Sequence, residues 1–98
     1  MNVNVGSSLS FNVLLILKVG DETFSRTAEL TLSPFPGLEL NLWVGNGFET
    51  FKIDKVLIFE DVQMEKFGIK AILIQPPVER HTHLVGGLIK DGEWKQIR

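Results

Sequence analysis

The chain has 98 residues, no cysteine, 10 basic and 12 acidic side chains. This length is typical of one domain, so we expect residues 1–98 to form a single domain. The lack of cysteine excludes disulfides, thiol catalysis and thiolate metal sites. The small negative net charge argues against non-specific phosphate binding as the main function.

The sequence favours a cytoplasmic protein with no membrane association. Its longest uninterrupted apolar run, Val13–Leu17, is far shorter than the roughly 20 residues of a membrane-spanning helix. No Lys or Arg precedes that run, so we do not expect a secretory signal peptide. Small secreted domains often carry disulfides, and their absence here points the same way.

The first third of the chain predicts a β-hairpin. Alternate residues of Phe11–Val19 are apolar, which is typical of a strand with one buried face. Gly20-Asp21 then breaks the pattern, and Thr23–Leu32 alternates again with a polar second face.

The middle of the chain predicts two more strands. Ser33–Gly37 contains two prolines that interrupt strand pairing, and Leu38–Val44 resumes the alternation. Gly45–Gly47 provides a tight reversal into Phe48–Glu60. The apolar register shifts near Asp54-Lys55, which predicts a β-bulge there.

The C-terminal part predicts a loop and further strands. Asp61–Gly68 is expected to be a hairpin loop, with at most one short helical turn near residues 61–67. Ile69–Gln75 is another strand. Leu84–Ile97 reads as a hairpin with a type I′ turn at Asp91-Gly92, which would place Ile89 opposite Trp94 and Lys90 opposite Glu93.

These elements predict an all-β fold. About six or seven mostly antiparallel short strands, without a convincing amphipathic helix, favour a small barrel or a two-layer sandwich. Fold analogy of this kind carries no function.

The segment "ERHTH" is the main candidate for a metal site. On an extended chain Glu79, His81 and His83 would point to the same face and could share a metal ion such as zinc. No fourth ligand is indicated, so we favour a solvated loop or edge strand and expect neither metal nor cofactor. A metal-dependent hydrolase that uses His81 and His83 stays open as a further alternative.

A nucleic-acid-binding barrel is the first alternative function. The basic residues concentrate in the last third of the chain, where Trp94 could stack on a base. They are Lys66, Lys70, Arg80, Lys90, Lys95 and Arg98. The bases are dispersed and some have acidic neighbours, so we expect nucleic acid not to be the partner.

The leading hypothesis is a non-catalytic module that binds a protein partner, itself or another. Trp43 should point outward from its strand, and exposed tryptophans are enriched at interaction hot spots. The runs Val13–Leu17, Val56–Phe59 and Ala71–Ile74 are apolar on both faces, and no predicted helix is available to cover the second face. We therefore expect Trp43, Leu14 and Ile16 to contact a partner, and favour a homodimer over a monomer.

Overall fold

The computed structural model describes residues 10–97. Residues 1–9 lie outside this range; they belong to the N-terminal segment in which no signal peptide is expected. Arg98, one of the six basic residues of the last third of the chain, also lies outside it. The elements are β1 (Phe11–Val19), β2 (Glu22–Leu30), β3 (Glu39–Trp43), β4 (Phe48–Asp61), β5 (Lys66–Leu73), a 3₁₀ turn (Val78–Arg80), α1 (His81–Lys90) and β6 (Lys95–Ile97).

One mixed sheet contains all six strands in the order β3-β4-β5-β1-β2-β6. Every neighbouring pair is antiparallel except β1 and β5, which are parallel. The sheet curls into a half-barrel. The prediction of a small all-β fold with mostly antiparallel strands is confirmed.

The alternation in β1 places the core on the concave face of the sheet. Val13, Leu15 and Leu17 are fully buried there, whereas Leu14 and Ile16 on the convex face are half-buried. The predicted hairpin with β2 is confirmed, since the two strands pair from Phe11–Leu30 to Val19–Glu22. Gly20, with φ of 65°, supplies the left-handed residue of the turn.

Two further sequence predictions hold in the β3–β4 hairpin. Gly45–Gly47 reverses the chain, and the Val44 amide donates a 2.9 Å hydrogen bond to the Gly47 carbonyl. The register of β4 against β5 shifts between Ile53 and Lys55, as the swapped apolar faces predicted.

The prediction of a strand over residues 84–90 is wrong, because this segment lies in α1. Leu84 and Leu88, four residues apart, are fully buried against the concave sheet face. The helix approaches the β3–β4 turn so closely that a Cβ on Gly87 would collide with the Val44 carbonyl oxygen. Cover for the concave face therefore comes from a helix that the sequence pattern did not predict.

The predicted type I′ turn at Asp91-Gly92 is also wrong. Because α1 continues to Lys90, no strand precedes the turn, so neither Ile89–Trp94 nor Lys90–Glu93 is a cross-strand pair. Gly92 has no positive φ. Instead, the Asp91 carboxylate accepts hydrogen bonds from the amides of Glu93 and Trp94 at 3.0 and 3.3 Å.

Within the described part of the chain, no helix has both the length and the apolar character needed to cross a bilayer.

Candidate interaction surface

Exposed apolar side chains concentrate at the outer end of the β4–β5 hairpin, residues 57–67, which we call the distal hairpin. Five large apolar side chains there are between 42% and 74% exposed: Leu57, Ile58, Val62, Met64 and Phe67. Leu57 and Ile58 point to opposite faces of the strand, and Val62 and Met64 lie in the turn, so exposed apolar side chains surround the end of the hairpin. Single exposed apolar residues are common on protein surfaces, but several on one hairpin are typical of an interaction site.

Local sequence chemistry closes the distal hairpin without a helix. Asp61 pairs with Lys66 in the register of the two strands. The Asp61 carboxylate accepts a 3.2 Å hydrogen bond from the Met64 amide, and Glu65 adopts a left-handed φ of 55°. The predicted hairpin loop is present but shorter than expected: the turn comprises residues 62–65, because Asp61 belongs to β4 and Lys66–Gly68 to β5. The turn leaves Val62 and Met64 in solvent.

The distal hairpin extends past the strands on either side of it. On one side, β1 pairs with β5 only from Val13–Ile69 to Ile16–Ile72. On the other, the ladder of β3 with β4 ends at the Glu39–Lys52 pair. The described part of the molecule is accordingly elongated, 51 Å by 30 Å by 25 Å. Beyond these limits β4 and β5 form a two-stranded ribbon, on which Val62, Met64 and Phe67 are exposed.

The convex face of the sheet continues this apolar surface toward β1. A Cβ on Gly68 would overlap the ring of Phe59, its partner in the β4–β5 register, so the ring packs directly over the glycine backbone. The Lys70 ammonium lies 5.1 Å from the centroid of the same ring. Leu14 is beside Lys70 in the β1–β5 register.

An open groove of about 600 Å³ joins the convex face to the distal hairpin. It lies where β1 and β5 cease to pair, and its apolar lining includes Phe11, Leu14, Phe59, Met64 and Phe67. Apolar surface is therefore continuous from the predicted contact residue Leu14 to the end of the hairpin.

Trp43 is exposed but lies apart from the other two predicted contact residues. Its side chain is 43% exposed and makes an edge-to-face contact with Phe48, with ring centroids 5.2 Å apart. Two strands, β4 and β5, separate it from Leu14 and Ile16 on β1. The exposed side chains of the distal hairpin were not selected from the sequence, although the two-sided apolar run Val56–Phe59 was a signal for this region.

The three candidate metal ligands do not share a face. The prediction assumed an extended chain, whereas His81 and His83 lie two residues apart on an α-helix and point about 160° apart. His81 Nε2 is 2.9 Å from the Pro76 carbonyl oxygen, and Glu79 is exposed in the 3₁₀ turn. Among residues 10–97, no three His, Cys, Asp or Glu side chains are grouped so that they could hold a metal ion.

The predicted basic edge is divided by the fold. Lys66 and Lys70 lie on β5, whereas Arg80 forms a two-bond ion pair with Glu49 at 2.8 and 2.9 Å. Trp94 is only 4% exposed, so its ring is not available to stack on a base. The nucleic-acid alternative placed Trp94 on the surface beside these basic groups, and the structure buries it instead.

Comparison with known proteins found no match: neither a protein-family model, nor a curated protein, nor a solved structure is significantly similar to this chain. The distal hairpin is therefore the feature from which a function can be inferred.

Proposed function

We propose that this chain is a non-catalytic interaction module that binds a protein partner on its distal hairpin. The observation that carries this proposal is the group of exposed apolar side chains on a ribbon that extends beyond its neighbouring strands. The partner is a second copy of the chain or another protein.

Burial of this surface provides the driving force for binding. Each Å² of apolar surface removed from water contributes roughly 25 cal/mol before the costs of association are subtracted. Ile58, Met64 and Phe67 are each more than 60% exposed and lose this contact with water when a partner covers them. Methionine and phenylalanine are both enriched at protein interfaces, and the flexible Met64 can adapt to the partner's shape.

Charged side chains surround the apolar group as they do in known interfaces. Glu60, Asp61, Glu65 and Lys66 lie around the turn of the distal hairpin, next to the exposed apolar residues. A polar rim around an apolar centre keeps the free surface soluble and orients the partner.

Photo-crosslinking in the source cell tests the proposal. A photoreactive phenylalanine analogue replaces Phe67 in one variant and Val78 in a matched control, since these side chains are 70% and 76% exposed. Val78 lies in the 3₁₀ turn before α1, outside the distal hairpin. We expect illumination to give a protein adduct from position 67 and none from position 78.

The result is read from the mass of the adduct as well as from its presence. An adduct at twice 11.0 kDa identifies a second copy, and any other mass identifies a different partner. Failure of position 67 to give an adduct, or equal adducts from both positions, would contradict the proposal.

A further inference from the structure

The outer part of β4 has an unpaired edge. β3 stops pairing at Lys52, and the next residue, Ile53, bonds through its amide to Leu38 and through its carbonyl to Gly37. From residue 55 to residue 61, β4 pairs with β5 on one side, and residues 54–61 have no backbone partner on the other side among the described residues. A free strand edge presents amide and carbonyl groups that can pair with another strand.

The sequence along this edge, "DKVLIFED", is complementary to itself. When two copies pair antiparallel about a two-fold axis at Ile58, Lys55 of each copy lies opposite Asp61 of the other. Leu57 then lies opposite Phe59. Both pairs are on the convex face. Leu57 is paired with Lys70, and Lys70 with Leu14, which lies on that face. Lys55, Phe59 and Asp61 are separated from Leu57 by two or four residues along the strand, so they point to the same side.

Neighbouring registers lose this complementarity. Residues that lie opposite each other in the two copies must point to the same face of the sheet, so the pairing can slip only in steps of two residues, which moves the two-fold axis to the next residue of β4. A step toward the start of β4 places Asp54 opposite Glu60, two like charges. A step toward its end places Asp61 opposite Leu57 and Lys55 opposite Gln63, so both opposite-charge pairs are lost. Glu60 lies opposite an apolar residue in this register (Ile58) and in the register centred on Ile58 (Val56), so it does not discriminate between the two.

The length of the free edge also fits the register centred on Ile58. In that register residue 54 lies opposite residue 62 of the second copy, which is in the turn after β4. Strand pairing between the copies would therefore end at the position where β3 begins to occupy the same edge.

We propose that two copies of this chain pair through residues 54–61 of β4 and form one continuous sheet across a two-fold axis. This inference rests on the proposed function, since it names a second copy as the partner. It also gives Ile58, 66% exposed in the single chain, a position at the centre of the interface.

Charge reversal at the two ends of the edge tests the proposal. Lys55→Glu places two carboxylates opposite each other at both ends of the interface, and Asp61→Lys places two ammonium groups there. Sedimentation equilibrium over roughly 1 to 200 µM gives the dimer constant by mass action. We expect each variant to weaken dimerisation by about tenfold or more.

Two matched experiments separate a broken interface from a damaged fold. A mixture of the Lys55→Glu and Asp61→Lys chains restores both opposite-charge pairs, so we expect a heterodimer close to wild-type strength. Lys18→Glu reverses an exposed strand lysine outside the distal hairpin and should leave the dimer constant unchanged.

Three outcomes would overturn the inference: a mass of 11.0 kDa at every wild-type concentration, a dimer that both charge reversals leave intact, or a mixture that fails to associate. None of them contradicts the proposed function, which is tested by the crosslink from position 67. An adduct there with a different protein, together with a monomer in sedimentation, would retain the binding surface and exclude the second copy.

Discussion

The indole Nε1 of Trp94 donates a 2.9 Å hydrogen bond to the backbone carbonyl of Trp43. Trp43 is the last residue of β3, and Trp94 directly precedes β6, so the bond joins the two edge strands of the curled sheet. The Arg26 guanidinium lies 5.7 Å from the centroid of the Trp94 ring and makes a longer, 3.5 Å bond to the same carbonyl. These contacts hold the open side of the half-barrel together.

Removal of the Trp94 indole should destabilise the fold. Trp94→Phe deletes the hydrogen bond and leaves a gap in the core, so we expect a loss of about 1–3 kcal/mol in the free energy of unfolding. Trp43→Phe is the control, because the Trp43 side chain is exposed and its carbonyl is retained; it should cost about 0.5 kcal/mol or less. Urea unfolding of both variants measures the difference, and equal losses would contradict this role for Trp94.

The paired glycines of α1 should respond to alanine in opposite directions. A Cβ on Gly87 collides with the Val44 carbonyl and with the Asn46 side chain, so Gly87→Ala should cost about 1–3 kcal/mol. A Cβ on Gly86 meets nothing within 4 Å, so Gly86→Ala should stabilise the helix by up to about 1 kcal/mol. Thermal unfolding of both variants tests this, and a stable Gly87→Ala protein would disprove the close approach of helix and turn.

Substitution of Gly92 discriminates between the sequence-based turn and the observed one. A type I′ turn would make Gly92→Val cost about 1–3 kcal/mol, because valine does not tolerate a positive φ. The observed Gly92 has no positive φ, and a Cβ added to it would meet no atom within 4 Å. We therefore expect a change of about 0.5 kcal/mol or less in the free energy of unfolding. A large loss of stability would contradict the observed turn and support the predicted type I′ hairpin.

The two ion pairs of the described chain should differ in strength. Arg80 binds Glu49 through two hydrogen bonds, and the Glu49 side chain is only 24% exposed. Glu49→Gln should cost about 1–2 kcal/mol, because it replaces a charge-assisted pair. The control Glu39→Gln affects a 4.0 Å pair between exposed side chains and should cost about 0.5 kcal/mol or less. Equal values from urea unfolding would contradict the special role of Glu49.

Local alternation was sufficient to predict the hairpins of this fold. In β1 and β2, apolar and polar residues alternate with the face to which each side chain points, so the sequence shows the buried face. The glycines between β3 and β4 mark the turn that joins these strands. The bulge near Lys55 was also visible, because an inserted residue exchanges the two faces.

The helix was harder to predict for a physical reason. The core-facing residues Leu84 and Leu88 follow a helical spacing, but Gly86-Gly87 lowers the helix propensity between them. Gly87 is required by the close approach of Val44, a tertiary contact that local sequence does not reveal. Asp91-Gly92 is also a common type I′ turn sequence, so residues 84–90 were predicted as the first strand of a hairpin.

The candidate site was predictable only in part. The apolar second face of Val56–Phe59 indicated an uncovered surface, but its extent depends on where the neighbouring strands stop. Lys55 and Asp61 lie near the two ends of an unpaired edge because β3 stops pairing with β4 at Lys52. The point at which that pairing stops is a property of the folded sheet and is not visible in the sequence.

Hydrogen exchange along β4 reports directly on whether two copies pair through this strand. Amide exchange is followed by mass spectrometry in dilute and in concentrated protein, with residues 23–25 of β2 as an internal control, because these residues already pair with β1 and with β6. Pairing of two copies predicts that exchange within residues 54–61 slows as the concentration rises, whereas exchange in β2 is unchanged. Identical exchange of residues 54–61 at all concentrations would contradict pairing through this edge.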